Sequence, residues 1–172
     1  RAEAASAAES VTEIMVMDDS PGVRETHLLA RGAYDQPKDR VAPETPSVFP
    51  PFPTDAPRNR LGLARWLTHP EHPLTARVAV NRFWQLIFGE GLVRTPEDFG
   101  TQGQPPTHPH LLDYLASSFV QSDWDIKRLV REMVTSATYR QSAMVDPQLV
   151  QMDPGNRLLG RAERRQLPAE ML

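Results

Sequence analysis

The chain contains no cysteine. This excludes a disulfide framework, a cysteine-ligated zinc site, a CxxCH haem attachment and a cysteine nucleophile within these residues. It leaves the compartment open. With 172 residues, the chain can bury roughly 70% of the surface its unfolded form exposes, so it needs no covalent staples. Lysine is nearly missing, at Lys38 and Lys127 alone. The remaining basic residues are arginines, which suit bidentate pairing with carboxylates. A biased genome composition would give the same skew. A formal net charge of −3 offers no basic footprint for nucleic acid. No apolar run approaches the ~20 residues of a membrane-spanning helix, and no signal peptide is visible. The first residue is Arg1, so the sequence reads as an interior piece of a longer protein. GxSxG, GxGxxG and Walker patterns are missing, no spacing suggests a Ser/His/Asp triad, and nothing calls for a cofactor.

Proline is plentiful, at 17 residues. "RAEAASAAES" at the start is helix-forming but featureless. "VTEIMVM" (11–17) and "THLLARG" (26–32) read as strands around a polar turn, forming a hairpin. From Tyr34 to Arg58 the prolines predict an extended loop, because each lacks a backbone donor and disfavours helix around itself. Val48, Phe49 and Phe52 are apolar, so this loop is expected to dock on a core. Helical patterns follow. "LGLARWLT" offers Leu61, Ala64, Trp66 and Leu67 for burial. From Thr75 to about Phe88, Val80, Phe83, Trp84 and Ile87 lie on one face, and Gly89 and Gly91 supply left-handed backbone to end the helix. Thr107 is the expected cap of a helix carrying Leu111, Leu112, Leu115, Phe119 and Val120. Asp125 is the expected cap of the next, with Ile126, Leu129, Val130 and Met133 inward. "DPQLVQM" predicts a short helix, and another begins at Pro168. The fold class expected is mainly α: packed helices, a small N-terminal β-hairpin and a long proline-rich loop lying across the helices.

Arg77, Asn81 and Trp84 share a stripe on the helix of residues 75–88. With Arg82 and Asp98 they form a candidate ligand site, in which a guanidinium and an amide hold a carboxylate, sulfate or sugar hydroxyl beside an aromatic wall. The competing role is structural: the same groups bond backbone in the corner "FGEGLVRTPEDFG", where a helix end leaves carbonyls in need of partners. The sequence favours the structural role. "TYRQS" and "NRLLGRAERRQLPAE" supply a second candidate set, Tyr139, Arg140, Asn156 and Arg157. Arginines 140, 157, 161, 164 and 165 either bind an acidic polysaccharide or pair with Asp146, Asp153, Glu163 and Glu170, and pairing is favoured. The histidines of "HPEH" and "HPH" are broken by proline and present no HExxH-like pair, so no metal site is expected.

"HPLTARVAVNRFWQLIFGEGLVRTPEDFGTQGQPPTHPHLLDYLA", "SDWDIKRLVREMVTSATYRQS" and "DPGNRLLGRAERRQLPAEML" occur in order at plausible spacing. Together they resemble the PSD1-type domain of unknown function (DUF1553-like), and the likeness runs over roughly residues 10–172. His110 stands where the family tends to carry a glutamate that completes a capping box. The family pattern continues beyond residue 172, so a C-terminal part of the domain is expected to be missing. The resemblance implies a large planctomycete protein in the periplasm, at the cell surface or secreted. It also implies a neighbouring cytochrome c-like module, and it implies no known reaction. The expected organisation is an N-terminal strand and proline-rich wrapping segment (1–58) and a helical domain (59–172). Two functions follow. One is a non-catalytic structural or binding module that contacts other domains of the same polypeptide, a cytochrome or a polysaccharide. The other is part of a polysaccharide-acting enzyme, which needs an acid–base pair drawn from Glu90, Glu97 and Asp98, although neighbouring residues rarely give two opposed carboxylates.

Overall fold

Among the described residues five α-helices follow a two-stranded hairpin: β1 (Thr26–Leu29), β2 (Pro37–Val41), α1 (Arg60–Leu67), α2 (Thr75–Phe88), α3 (Pro109–Gln121), α4 (Ile126–Thr135) and α5 (Pro147–Met152). The structure is a computed structural model and describes residues 14–18, 22, 24–144 and 147–163. The architecture is mainly α, as the sequence predicts. The helices expected at residues 1–10 and from Pro168 lie outside the described residues.

The hairpin pairs differently from the sequence reading. β1 pairs antiparallel with β2, matching Thr26 with Val41 and His27 with Arg40. β2 therefore lies inside the segment expected to be loop. Its proline opens the strand, where a missing donor matters least. Arg31 and Gly32, at φ 51° and 77°, turn the chain between the strands. Ile14–Met17, the described part of the expected first strand, is exposed and forms no strand.

The core sits where α2, α3 and α4 meet. Ala76, Val80 and Trp84 come from α2, Leu112, Leu115, Ala116 and Phe119 from α3, and Leu129 and Met133 from α4. Leu92 and Val93 enter from the loop after α2. Burying each such large aliphatic or aromatic side chain contributes about 1.5–3 kcal/mol. The Asp125 cap forms as expected, its Oδ1 accepting the Arg128 N–H at 3.0 Å. Ile126, however, is half exposed, because it sits at the open first turn of α4. Leu61 and Leu67 also face outward, leaving Gly62 and Trp66 as the buried residues of α1. Thr107 does not cap α3. Its N–H and hydroxyl both turn back to the Leu92 carbonyl, at 2.8 and 3.3 Å, and tie the preceding loop instead.

The proline-rich segment is a strap rather than a free loop. The Trp66 Nε1–H donates to the Pro50 carbonyl at 2.8 Å. Phe49 stacks on His72 with ring centres 5.5 Å apart and meets Trp66 edge-on at 6.1 Å. The Arg58 guanidinium donates to the Pro43 carbonyl at 2.7 Å and to Glu44 at 2.6 Å, and lies over the Phe52 ring. Phe49 and Phe52 dock as expected, while Val48 points to solvent at 82% exposure. Three rings already fill the seat, and Val48 precedes it on the outer side of the turn closed by Phe49 N–H and the Pro46 carbonyl.

Gly62 is where the strap and α1 come closest. A Cβ there would meet the Pro57 carbonyl oxygen at 1.8 Å and the Phe52 ring at 2.7 Å. Gly62→Ala is expected to push the strap off α1. It should destabilise by about 1–3 kcal/mol, in the range of core overpacking. Calorimetry should show a lower Tm, and limited proteolysis should show faster cleavage within residues 43–58. An unchanged Tm with an uncut strap would contradict this packing.

Candidate functional site

α2 ends at Gly89, whose φ of 91° and ψ of −48° a residue with a Cβ rarely adopts. The next residues fold back so that Leu92 and Val93 enter the core. This carries the peptide groups of Val93 away from water, where an unpartnered donor or acceptor costs about 1–3 kcal/mol. Asn81 supplies both partners. Its Nδ2 donates to the Val93 carbonyl at 2.9 Å, and its Oδ1 accepts the Val93 N–H at 2.8 Å. The side chain is fully buried and acts as one rung of a β-ladder inside a helical core. Gly91 lies against the clamp: a Cβ there would meet the Val93 oxygen at 2.5 Å and the Asn81 amide at 2.7 and 2.8 Å. Gly91 is thus required for close approach, and it does not adopt the left-handed backbone expected of it.

The other members of the first candidate set separate. Arg77 turns outward, its Nε donating to Asp113 on α3 at 2.7 Å and its Nη1 to the Pro73 carbonyl. Arg82 is exposed beside Glu97 at 3.6 Å. Trp84 is buried and stacks on Phe88 with ring centres 4.0 Å apart. Asp98 closes a turn: its Oδ1 accepts the Gly100 N–H at 2.7 Å and its carbonyl accepts the Thr95 hydroxyl at 2.8 Å. These residues do not converge on a common point, because helical spacing fixes their direction along α2 but not the course of the chain beyond Gly89.

A concave surface lies instead on the far side of Trp84. Trp84, Phe88 and Leu92 line an open groove of about 910 Å³ together with Glu90, Arg94, Met144, Val150 and the loop from Pro154 to Glu163. A smaller extension of about 250 Å³ runs past Ile87 and Phe88 to Tyr139. Tyr139 is half exposed and meets Phe88 edge-on at 6.1 Å.

The 153–161 loop is held by polar side chains acting on backbone. Asp153 accepts the N–H groups of Arg157 and Leu158 at 2.9 and 2.7 Å. Asn156 repeats the amide clamp, donating to the Arg161 carbonyl at 2.9 Å and accepting the Arg161 N–H at 3.3 Å. Arg161 donates to the carbonyls of Asp153 and Pro154 at 2.8 and 2.7 Å. Arg94 reaches across the groove to the Gly155 carbonyl while holding Glu90 at 2.5 Å. Asn156 and Leu159 sit at φ 46° and 54°, a backbone region that persists only where surroundings enforce it. Arg161 directs its guanidinium to carbonyls rather than into a close ion pair, while its charge helps hold the Asp153 carboxyl below its ordinary value. Among the described residues, the Arg157 guanidinium and the Glu163 carboxylate have no partner, and both line the groove. Arg140 is exposed and reaches only the Ser136 carbonyl, at 3.4 Å. Arg164, Arg165, Asp146 and Glu170 lie outside the described residues.

Arg94 and Phe88 were not among the residues singled out from sequence. Arg94 acts on a carbonyl 61 positions away, a distance no local pattern reports. Among the described residues, no three His, Asp or Glu side chains gather in a way that would hold a metal ion.

The clamp can be tested by stability. Asn81→Ala orphans two buried backbone groups, so it is expected to destabilise by about 2–5 kcal/mol and to lower Tm by about 5 °C or more. Thermal denaturation followed by circular dichroism checks this, and an unchanged Tm would refute the clamp's structural role. The Asp153 carboxyl is held below its ordinary value of 3.8, first by the Leu158 N–H and then by the Arg157 N–H. A depressed value in the fold means that the carboxylate's support is complete above the unfolded value and is lost as pH falls through the folded one. Amide protection at Leu158 should therefore drop below about pH 4, and should be low and pH-independent over that range in Asp153→Asn.

The family model described as PSD1, a protein of unknown function (DUF1553), matches residues 59–172. No curated protein and no solved structure matches the chain. The match takes in α1 to α5, the amide clamp and the whole groove. It includes neither the hairpin nor the strap, to which the sequence resemblance had extended. Covering more than half of the chain, it establishes that this protein belongs to the PSD1 (DUF1553) family.

Proposed function

We propose that the chain is a non-catalytic structural and binding module of a large exported bacterial protein, and that the groove between Trp84 and the 153–163 loop is its contact site. In this reading residues 59–172 form the helical binding unit and residues 1–58 an accessory segment that wraps it. The observation that carries the reading is the division of labour among polar groups. Asn81, Asp98, Asp153, Asn156 and Arg161 hold backbone. Among the described residues the Arg157 and Glu163 side chains have no partner, and the ring of Tyr139 is half exposed. A rigid trough with an apolar floor and a few unpaired polar groups at its rim is the general form of a binding site.

Carbohydrate is the ligand class we propose. An apolar sugar face would lie on Tyr139 and Phe88, and its hydroxyls or carboxylates would reach Arg157. Contact with a cytochrome domain of the same polypeptide is the second partner proposed, and like export it follows from the family resemblance. No described helix is long and apolar enough to cross a membrane. The enzyme reading draws less support. Of the carboxylates it needs, only Glu90 lines the groove, and Arg94 holds it at 2.5 Å.

The test is isothermal titration of the protein with a panel of neutral and acidic polysaccharides, paired with a reducing-end assay. Tyr139→Ala and Arg157→Ala should each weaken binding about tenfold or more, equivalent to about 1.4 kcal/mol, while leaving Tm within about 1 °C, as surface substitutions usually do. Absence of binding across the panel would refute the carbohydrate assignment. Release of reducing ends would replace the module reading with the enzymatic one.

A further inference from the structure

The strap and α2 meet at His72. Its Nδ1 faces three donors at the start of α2: the Thr75 hydroxyl at 2.8 Å, the Thr75 N–H at 3.2 Å and the Leu74 N–H at 3.4 Å. The backbone N–H groups can only donate, so Nδ1 must be an acceptor and the ring proton must reside on Nε2. Leu74, the residue at the cap position, offers no side-chain cap. The imidazole thus stands in for the missing N-cap. Nε2 is buried and has no hydrogen-bond partner among the described residues. The same ring is the seat of the strap, stacked by Phe49 and met edge-on by Trp66 at 4.7 Å.

We propose that His72 is an acid-sensitive latch: protonation of its ring releases the 43–58 strap from the helical unit. A proton on Nδ1 would point a donor at the Leu74 and Thr75 N–H groups, leaving the Thr75 hydroxyl as its one acceptor, so the backbone cap on α2 is lost. It would also place a positive charge at the helix N-terminus, where the macrodipole disfavours cations. The surroundings supply no opposite charge among the described residues. From the strap the ring meets Phe49, from α1 it meets Trp66, and from α2 it meets Thr75. The nearest titratable groups in the chain are His69 and Glu71. The His69 carbonyl accepts the His72 N–H, and the His69 ring accepts the Glu71 N–H. No carboxylate among the described residues pairs with His72. Burial lowers its pKa below the ordinary 6.5. With the folded value depressed, the contribution to stability is complete above the unfolded value and is lost as pH falls below about 6.5.

The experiment is NMR on the whole chain. The ring nitrogens should report the Nε2–H tautomer at pH 8. Amide protection factors at Phe49 and Thr75 should fall together, by up to about tenfold per pH unit below pH 6.5, the slope for uptake of one proton. His72→Asn keeps an acceptor but cannot titrate, so its protection factors should be flat over this range. Protection that is flat in the wild type, or that falls equally in His72→Asn, would overturn the latch, as would an Nδ1–H tautomer. Should His72→Asn fail to fold, the wild type still decides. A ring titration sharing its midpoint with the loss of Phe49 protection supports the proposal, and separate midpoints refute it.

Discussion

The hydrogen bonds between Asn81 and the backbone of Val93 are the constraint on which the helical unit depends. Without a partner for the Val93 peptide groups, Leu92 and Val93 could not both be buried. Their apolar gain, about 1.5–3 kcal/mol each, would be offset by desolvated polar backbone at about 1–3 kcal/mol per group. With Asn81 in place the chain after α2 turns into the core rather than across its surface. That turn sets the position of Leu92 on the groove floor and of Thr107, which ties back to the Leu92 carbonyl before α3 begins. The corner thus links α2 to α3 and shapes the groove.

The same solution recurs in the 153–161 loop, where Asn156 clamps both backbone groups of Arg161. Two arginines finish the arrangement by capping carbonyls: Arg161 within the loop, and Arg94 from across the groove. A guanidinium has five donors in a fixed plane, so one side chain can hold two carbonyls, or a carbonyl and a carboxylate, at once. Lysine's single ammonium on a flexible stem would do this less well. The arginine bias therefore has a structural use in this fold, whatever its genomic origin.

The helices were legible because their cores follow helical periodicity, as in Val80, Phe83, Trp84 and Ile87. Asp125 and Gly89 were legible because cap chemistry is local. The groove was not, since it depends on contacts between residues far apart, such as Arg94 and Gly155. Asn81 was visible as a residue able to bond the loop, but its complete burial was not: a polar side chain on a helix reads as surface until the chain it serves has been placed. β2 was hidden by its composition, since "PKDRV" carries a proline and three charges and lacks apolar alternation. Both of its faces are exposed, so burial imposes no pattern on it. Tyr139 and Arg157 were singled out for their chemistry, and the structure puts them at the groove and its extension for reasons of topology that no local spacing contains.

α2 starts without a side-chain cap at Leu74 and stops at a glycine. It has no acidic residue in its first turn and no basic residue in its last, so side-chain charges do nothing to offset its dipole. Its first residue offers its N–H to the His72 ring, and its last is followed by Gly89 and the amide clamp. Each end combines a local cap, His72 or Gly89, with contacts from the segment it meets. The strap completes the N-terminal end, and the corner leading to the groove completes the C-terminal end. A helix of this kind acts as a strut between two tertiary contacts. The wrapping segment meets His72 beside the first turn of α2, while the groove-lining residues Trp84 and Phe88 lie toward its last turn.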